Sequence, residues 1–347
     1  MSLAKNRRNT RENCAGSERD KNKGPTYSNL SNLNYKGINY LKPKIRVLVC
    51  DPIHEEGINK LKQAGFDVDV KPTISPDELK SIVSNYHALI VRSRTKVTKD
   101  IIEAGKRLKA IGRAGAGLDN VEVEPAEKKG ILVLNTPEAP ATAVAELTIG
   151  LILSLARNIP LADRTMKEGK WIKKELMGWE LRGKTLGTIG LGNIGEKVAR
   201  LAKAFGMKVL ITKRTPPSPE LLRELEGEFI PLKELLQRSD VITVHVPLSP
   251  QTYHMIGSEE IKLMKNGAFL INTSRGAIVD EKPLLEALKS GKLGGAALDV
   301  YEIEPPESLE LIKLPQIICT PHVGAQTEEA QREASILIAE KIINALK

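Results

Sequence analysis

The sequence predicts an α/β protein built from two doubly wound parallel sheets. Three observations predict it. From residue 44 onward, short apolar runs alternate with helical stretches, the pattern of strands joined by crossover helices. The alternation pauses at the apolar stretch Ala141 to Arg157 and then restarts, which makes two series. The second series opens with an apolar strand, a glycine-rich turn and an amphipathic helix in direct succession. A length of 347 residues suits about two domains.

The elements follow in order. Residues 1–43 are rich in Asn, Ser, Lys, Arg and Gly without a periodic apolar pattern, which predicts a disordered, dispensable basic arm, an anchor for anionic surfaces being the alternative. Strands are expected at Ile45 to Cys50, Phe66 to Val70, His87 to Val91, Ala110 to Gly112 and Ile131 to Leu134, with a helix at Glu56 to Ala64. After the helix at Ala141 to Arg157, six more strands are expected. They are Thr185 to Gly190, Lys208 to Thr212, Val241 to Val246, Ala268 to Thr273, Gly295 to Val300 and Gln316 to Thr320. Six is the full doubly wound count. A last helix, Glu328 to Leu346, lies beyond them and would make the first domain discontinuous if it returns there. The expected division is 44–140 with 325–347, and 141–324.

Composition excludes several function classes. Of the net charge of +9, residues 1–44 carry +7, from ten Lys and Arg against three acids, so the body is nearly neutral. The basic total therefore does not predict a nucleic-acid partner, and 3% aromatic residues offer few stacking platforms. Cys14, Cys50 and Cys319 are few and widely spaced, which predicts a reduced cytoplasmic protein with neither a disulfide framework nor a metal site. Cys319 reads as a strand cysteine rather than a nucleophile paired with His322. No secretory signal is apparent, and the window Ala139 to Ala156, interrupted by Glu146, reads as a buried helix rather than a membrane span.

The turn Gly190-Leu-Gly-Asn-Ile-Gly195 has the spacing of a Rossmann-like dinucleotide site. Gly190 makes the tight turn, Gly192 lets the backbone approach a pyrophosphate, and Gly195 permits close packing of the helix Glu196 to Phe205, whose N-terminus faces the anion. The next strand ends in Lys213-Arg214 where an acid for the NAD ribose is expected. Two cations suit a 2′-phosphate, so NAD is expected and NADP stays open.

Ligands in such sheets collect at the carboxyl ends of the strands. Three expected strands lead there to Arg275, to Asp299 and Glu304, and to His322. Arg275 can grip a carboxylate with its planar fork. His322 can take a hydroxyl proton as hydride leaves the same carbon, and Glu304 can hold His322 and favour its protonated form. No metal is required. Singly, Arg275 would read as an ion pair and Glu304 as a loop acid; together they predict a 2-hydroxy acid site. His245, also at a strand end, is the weaker alternative base. His54, His87 and His254 lie outside this edge.

These residues resemble the D-isomer-specific 2-hydroxyacid dehydrogenases over roughly 45 to 345. The motifs are Arg92-Ser-Arg-Thr95, Ile111-Gly-Arg-Ala-Gly-Ala-Gly-Leu-Asp-Asn120, Asn135-Thr-Pro137, Glu146-Leu147, the glycine turn, Asn272-Thr-Ser-Arg-Gly276, Ala297-Leu-Asp-Val300 and Thr320-Pro-His-Val-Gly324. The resemblance implies that Arg275, Glu304 and His322 are catalytic and that Asp299 bonds the nicotinamide carboxamide. It further implies cofactor contacts from Asn193, Ile194, Val246, Pro247, Thr273, Ser274 and Gly324, and a substrate domain that closes over the dinucleotide domain. Substrate contacts are implied at Arg92, Ser93, Ala116 and Gly117, with Arg92, Arg94 and Arg113 as cations for a phosphorylated substrate. The first expectation is oxidation of 3-phosphoglycerate, the opening step of serine synthesis. Glyoxylate or hydroxypyruvate reduction is the second, and a dinucleotide-sensing corepressor-like protein the third. Similar enzymes pair through their dinucleotide domains, which implies a homodimer or higher homo-oligomer, and the apolar helix at Ala145 to Ala156 is either a pairing face or core. Lys213 and Arg94 depart from the family pattern, and with the chain ending at Lys347 a C-terminal regulatory domain is not expected.

Overall fold

A computed structural model describes residues 44–347; the arm expected over 1–43 lies outside the described residues. The first half contains β1 (Arg46–Val49), α1 (Glu55–Gln63), β2 (Asp67–Val70), α2 (Pro76–Ile82), β3 (Ala88–Val91), α3 (Lys99–Ala104), β4 (Ala110–Arg113), α4 (Val123–Lys128) and β5 (Leu132–Asn135). Then come α5 (Ala141–Arg157), α6 (Ile159–Lys167), β6 (Thr185–Ile189), α7 (Asn193–Ala204), β7 (Lys208–Thr212), α8 (Pro219–Leu225), β8 (Gly227–Phe229), α9 (Leu232–Arg238) and β9 (Val241–Val244). The chain closes with α10 (Ser258–Leu263), β10 (Ala268–Asn272), α11 (Glu281–Lys289), β11 (Leu293–Leu298), β12 (Ile317–Cys319) and α12 (Glu328–Leu346).

Two parallel sheets result, ordered β2-β1-β3-β4-β5 and β12-β11-β10-β9-β6-β7-β8. In the second, the direction of winding reverses between β6 and β9, so their carboxyl ends diverge into a crevice. That sheet has seven strands rather than the six expected. The seventh, β8, is a three-residue edge strand whose Glu228 and Phe229 are exposed, too short and too polar to show as an apolar run.

Alternating side chains give each sheet two buried faces. On the first, Leu48, Leu89 and Ile111 face one way into a core closed by Leu79 and Ile102. Val47, Val49 and Ile90 face the other way, against Ile338 and Ile342 of α12. The last helix thus returns to the first sheet. Gly112 of β4 permits its approach, since a β-carbon there would lie 2.7 Å from Ile338 Cγ1. Burying Ile338 and Ile342 fully contributes about 1.5–3 kcal/mol each.

Ala145, Ile149, Leu151 and Ile152 of α5 pack with Leu186, Ile271 and Ala297 of the second sheet, so the apolar side of α5 is core. Among the described residues no single helix is long and apolar enough to cross a membrane.

Candidate active site

The glycine turn is formed where β6 meets α7. Gly190 has φ +95°, and a β-carbon on it would lie 2.4 Å from the His245 carbonyl oxygen. Gly195 is pressed against the turn itself, 2.2 Å separating its would-be β-carbon from the Gly190 oxygen. Gly192 instead faces open space. The helix begins at Asn193, three residues before the expected Glu196, because Gly192 serves as its cap without a side chain. The amides of Asn193, Ile194 and Gly195 therefore open the helix and have no intrahelical acceptor. A backbone cradle with this exposure fits the pyrophosphate of a dinucleotide. Lys213 reaches back across the turn, its Nζ 3.2 Å from the Leu191 oxygen, while Arg214 is exposed beside it.

At the far strands, a polar network fixes the turn after β10. Buried Asn272 donates from Nδ2 to the Arg275 oxygen at 2.8 Å and accepts from the Ser274 amide and hydroxyl. Thr273 pairs with Thr148 of α5 through their hydroxyls at 2.9 Å. Gly276 is packed on the next loop so tightly that a β-carbon would lie 1.8 Å from the Tyr301 carbonyl carbon.

That next loop carries Glu304, whose Oε2 lies 2.7 Å from His322 Nδ1 and whose Oε1 accepts from the Tyr301 amide at 3.2 Å. With Nδ1 engaged, Nε2 is the ring nitrogen left for a ligand. His322 has φ +51°, a turn held from below by Asp299. The wholly buried carboxylate of Asp299 accepts from Thr320 Oγ1, the Val323 amide and the Gly324 amide at 2.6, 2.8 and 2.9 Å.

Between the sheets lies a cleft of about 1370 Å³ lined from one side by Arg92, Ser93, Arg113, Ala116 and Gly117, and from the other by Gly192, Val246, Pro247, Arg275 and His322. Arg92 is set by buried Asp51, which accepts the Arg92 amide at 2.5 Å, the Thr95 amide at 3.2 Å and the Thr95 hydroxyl at 2.7 Å. Asn120 donates to the carbonyls of Arg92 and Thr95, both at 2.6 Å. The Arg92 guanidinium reaches Gln331 of α12 at 3.4 Å. Ala116 is oriented by Asn135 Nδ2, 2.6 Å from its carbonyl. Arg113 lies against Gly115, its Nε buried without a partner. Burial, and then the nearby Arg275 charge, push Arg113 down to about 10.

Arg94 is not a cleft cation. Its guanidinium turns back to the carbonyls of Cys50 and Ile74 and lies 3.0 Å from Asp51 Oδ1, because those acceptors sit beneath its loop. His245 follows β9 and is half-buried at the cleft, its Nε2 2.9 Å from Thr243 Oγ1 and its Nδ1 buried without a partner. Burial pushes it down to about 3, so it is a neutral group near pH 7 and a poor proton carrier. His254 stands between the carboxylates of Asp280 and Glu302, 3.6 and 3.2 Å away. The Cys319 thiol is raised by burial, which suits a strand cysteine rather than a nucleophile.

Asp51, Asp119, Asn120, Asn272 and Gln331 were not singled out from sequence. Asp51 has a signal, a lone acid directly after a buried apolar strand; Asp119, Asn120 and Asn272 lie inside recognised motifs; Gln331 sits on a helix with nothing to mark it.

Residues 149–324 match the family model described as D-isomer specific 2-hydroxyacid dehydrogenase, NAD binding domain. A D-3-phosphoglycerate dehydrogenase of Methanocaldococcus jannaschii is 49% identical over 87% of the chain and 58% of that protein. The chain thus spans little more than half the length of that relative. A hydroxypyruvate reductase of Thermotoga maritima is 48% identical over 87% of the chain and 99% of that protein. Among solved structures, a glyoxylate reductase from Paecilomyes thermophila has a TM-score of 0.81 at 31% identity, covering 88% of this chain and 96% of the other.

Proposed function

Because the chain belongs to the D-isomer-specific 2-hydroxyacid dehydrogenases, we propose that it interconverts a D-2-hydroxy acid and its 2-oxo acid with a nicotinamide dinucleotide, 3-phosphoglycerate being the preferred substrate. The observation that carries the reading is the Glu304–His322 pair at 2.7 Å, facing the same cleft as Arg275 and the glycine turn. When bound, the nicotinamide supplies the hydride acceptor. His322 Nε2 removes the hydroxyl proton, and Glu304 fixes the ring and stabilises the cation that forms. Arg275 holds the carboxylate. Asp299 positions the His322 turn through three hydrogen bonds; a carboxylate has about four acceptor sites, which leaves one for the cofactor carboxamide.

The phosphorylated substrate is supported by cations beyond Arg275. Arg92, Lys96 and Arg113 line the cleft opposite it, and a phosphate fits their combined charge. In that reading the reaction is the opening step of serine synthesis. Hydroxypyruvate reduction is the second reading, favoured by a relative that the chain matches over nearly its whole length.

Turnover of D-3-phosphoglycerate, hydroxypyruvate and glyoxylate with each cofactor, beside calorimetric titration of NAD and NADP, tests the proposal. We expect both cofactors to bind, since Lys213 is engaged with Leu191 and Arg214 is exposed where it can meet a 2′-phosphate. Cofactor binding without turnover of any hydroxy or oxo acid would favour a dinucleotide-sensing binding protein instead.

The chain works as a homodimer in this reading. Since α5 is committed to the core, the pairing face is assigned to the segment after it, where Trp171 is 78% and Met177 87% exposed. Trp171→Glu with Met177→Glu is expected to yield monomers in sedimentation; an unchanged dimer would place the contact elsewhere.

A further inference from the structure

Asp119 stands where a substrate carboxylate would be expected. Its Oδ2 accepts from Arg275 Nε at 3.0 Å and lies 2.8 Å from Arg275 Nη2, which fills the side-on pair of donors that a planar guanidinium offers a carboxylate. A third donor, Nη1, is spent on the Ser274 carbonyl at 2.6 Å. Asp119 comes from the loop after β4 and Arg275 from the turn after β10, so the pair also joins the two sides of the cleft.

The surroundings explain why an acid is tolerated there. Among the described residues that line the cleft from the first sheet, Asp119 is the acid among Arg92, Lys96 and Arg113. Burial works against its charge, but the hydrogen bond and charge of Arg275 hold it below the usual carboxylate range. Gly117 gives the pair its room: a β-carbon there would lie 1.8 Å from Arg275 Nη2 and 2.4 Å from Asp119 Oδ2. The Asp119 side chain is 57% exposed, so it can swing into water at small cost.

We propose that Asp119 is a resident stand-in for the substrate carboxylate, a counter-ion that occupies the Arg275 fork in the empty cleft and is displaced by the incoming acid. The proposal rests on the reading of Arg275 given above. Displacement exchanges one ion pair for another and so preserves the charge balance of the cleft, while selecting against ligands that lack a carboxylate. A neutral alcohol offers nothing to replace Asp119.

Calorimetric titration of oxalate into the full-length, NADH-loaded protein tests this. Removing the competitor in Asp119→Ala is expected to tighten oxalate binding by roughly two- to fivefold, the range of a partly exposed pair. Asp119→Asn keeps the volume and serves if the alanine variant is unfolded by circular dichroism. Oxalate bound equally or more weakly by the folded variants would overturn the proposal and make Asp119 an orienting partner of Arg275. Arg275→Gln is expected to lose oxalate binding; wild-type affinity in that variant would instead remove the carboxylate role of Arg275.

Discussion

His322→Asn is expected to lower turnover by about 10² to 10⁴-fold, the usual contribution of a positioned acid–base group, with cofactor affinity nearly unchanged. In the proposed mechanism the ring is the proton carrier, since Glu304 takes Nδ1 and leaves Nε2 as the other ring nitrogen. Asn retains a polar side chain but cannot accept and return a proton at this site. The glycine turn, which belongs to β6 and α7, is untouched by the substitution. Fluorescence titration of NADH beside steady-state kinetics separates the two effects. Near-normal turnover would mean that another group carries the proton. His245 is poorly suited to do so, since its low proton affinity, the burial of Nδ1 and the engagement of Nε2 with Thr243 oppose it. Glu304→Gln is expected to lose less, because the amide can still hold the ring although it cannot stabilise the imidazolium.

The second large effect is expected from Asp51→Ala. Asp51 is 1% exposed and accepts two amides and a hydroxyl of the Arg92–Thr95 segment. Its removal leaves the two amides, one buried and one part-buried, without their acceptor, at about 1–3 kcal/mol each. We therefore expect a loss of about 2–5 kcal/mol in urea unfolding, together with a raised KM for a phosphorylated substrate as Arg92 loses its setting. Arg94 adds little to the loss, because its guanidinium is half exposed and keeps the Cys50 carbonyl. Wild-type stability in Asp51→Ala would show that the segment holds itself, with Asn120 sufficient.

The strands were legible because most are buried on both faces and read as unbroken apolar runs, as at Ala88–Val91 and Val241–Val244. Edge strand β8 was not, since two of its three residues face solvent. The start of α7 was misplaced by three residues because glycine carries no helix signal of its own. At the site, the rule that ligands gather at strand ends picks out Arg275, Glu304 and His322 from the sequence alone. What that rule does not convey is direction. Arg92 and Arg94 are two residues apart in one motif, yet one meets the cleft and the other two backbone carbonyls. Only the position of Asp51 and the carbonyls beneath the loop separates them. Asp119 was hidden for a related reason, because its partner is 156 residues away in sequence.

The contact between Gly276 and the Tyr301–Glu302 backbone has a mechanical meaning. With no side chain between them, the segment bearing Arg275 and the segment bearing Glu304 abut and must travel as one piece. On the function proposed above, opening or closing of the cleft would then change how a substrate is gripped from the first sheet, but not the spacing between His322 and Arg275. Chemistry and substrate choice are thereby separable. In the proposed mechanism, changes confined to the loops that present Arg92, Lys96 and Arg113 would redirect substrate choice while the reacting apparatus stays in register.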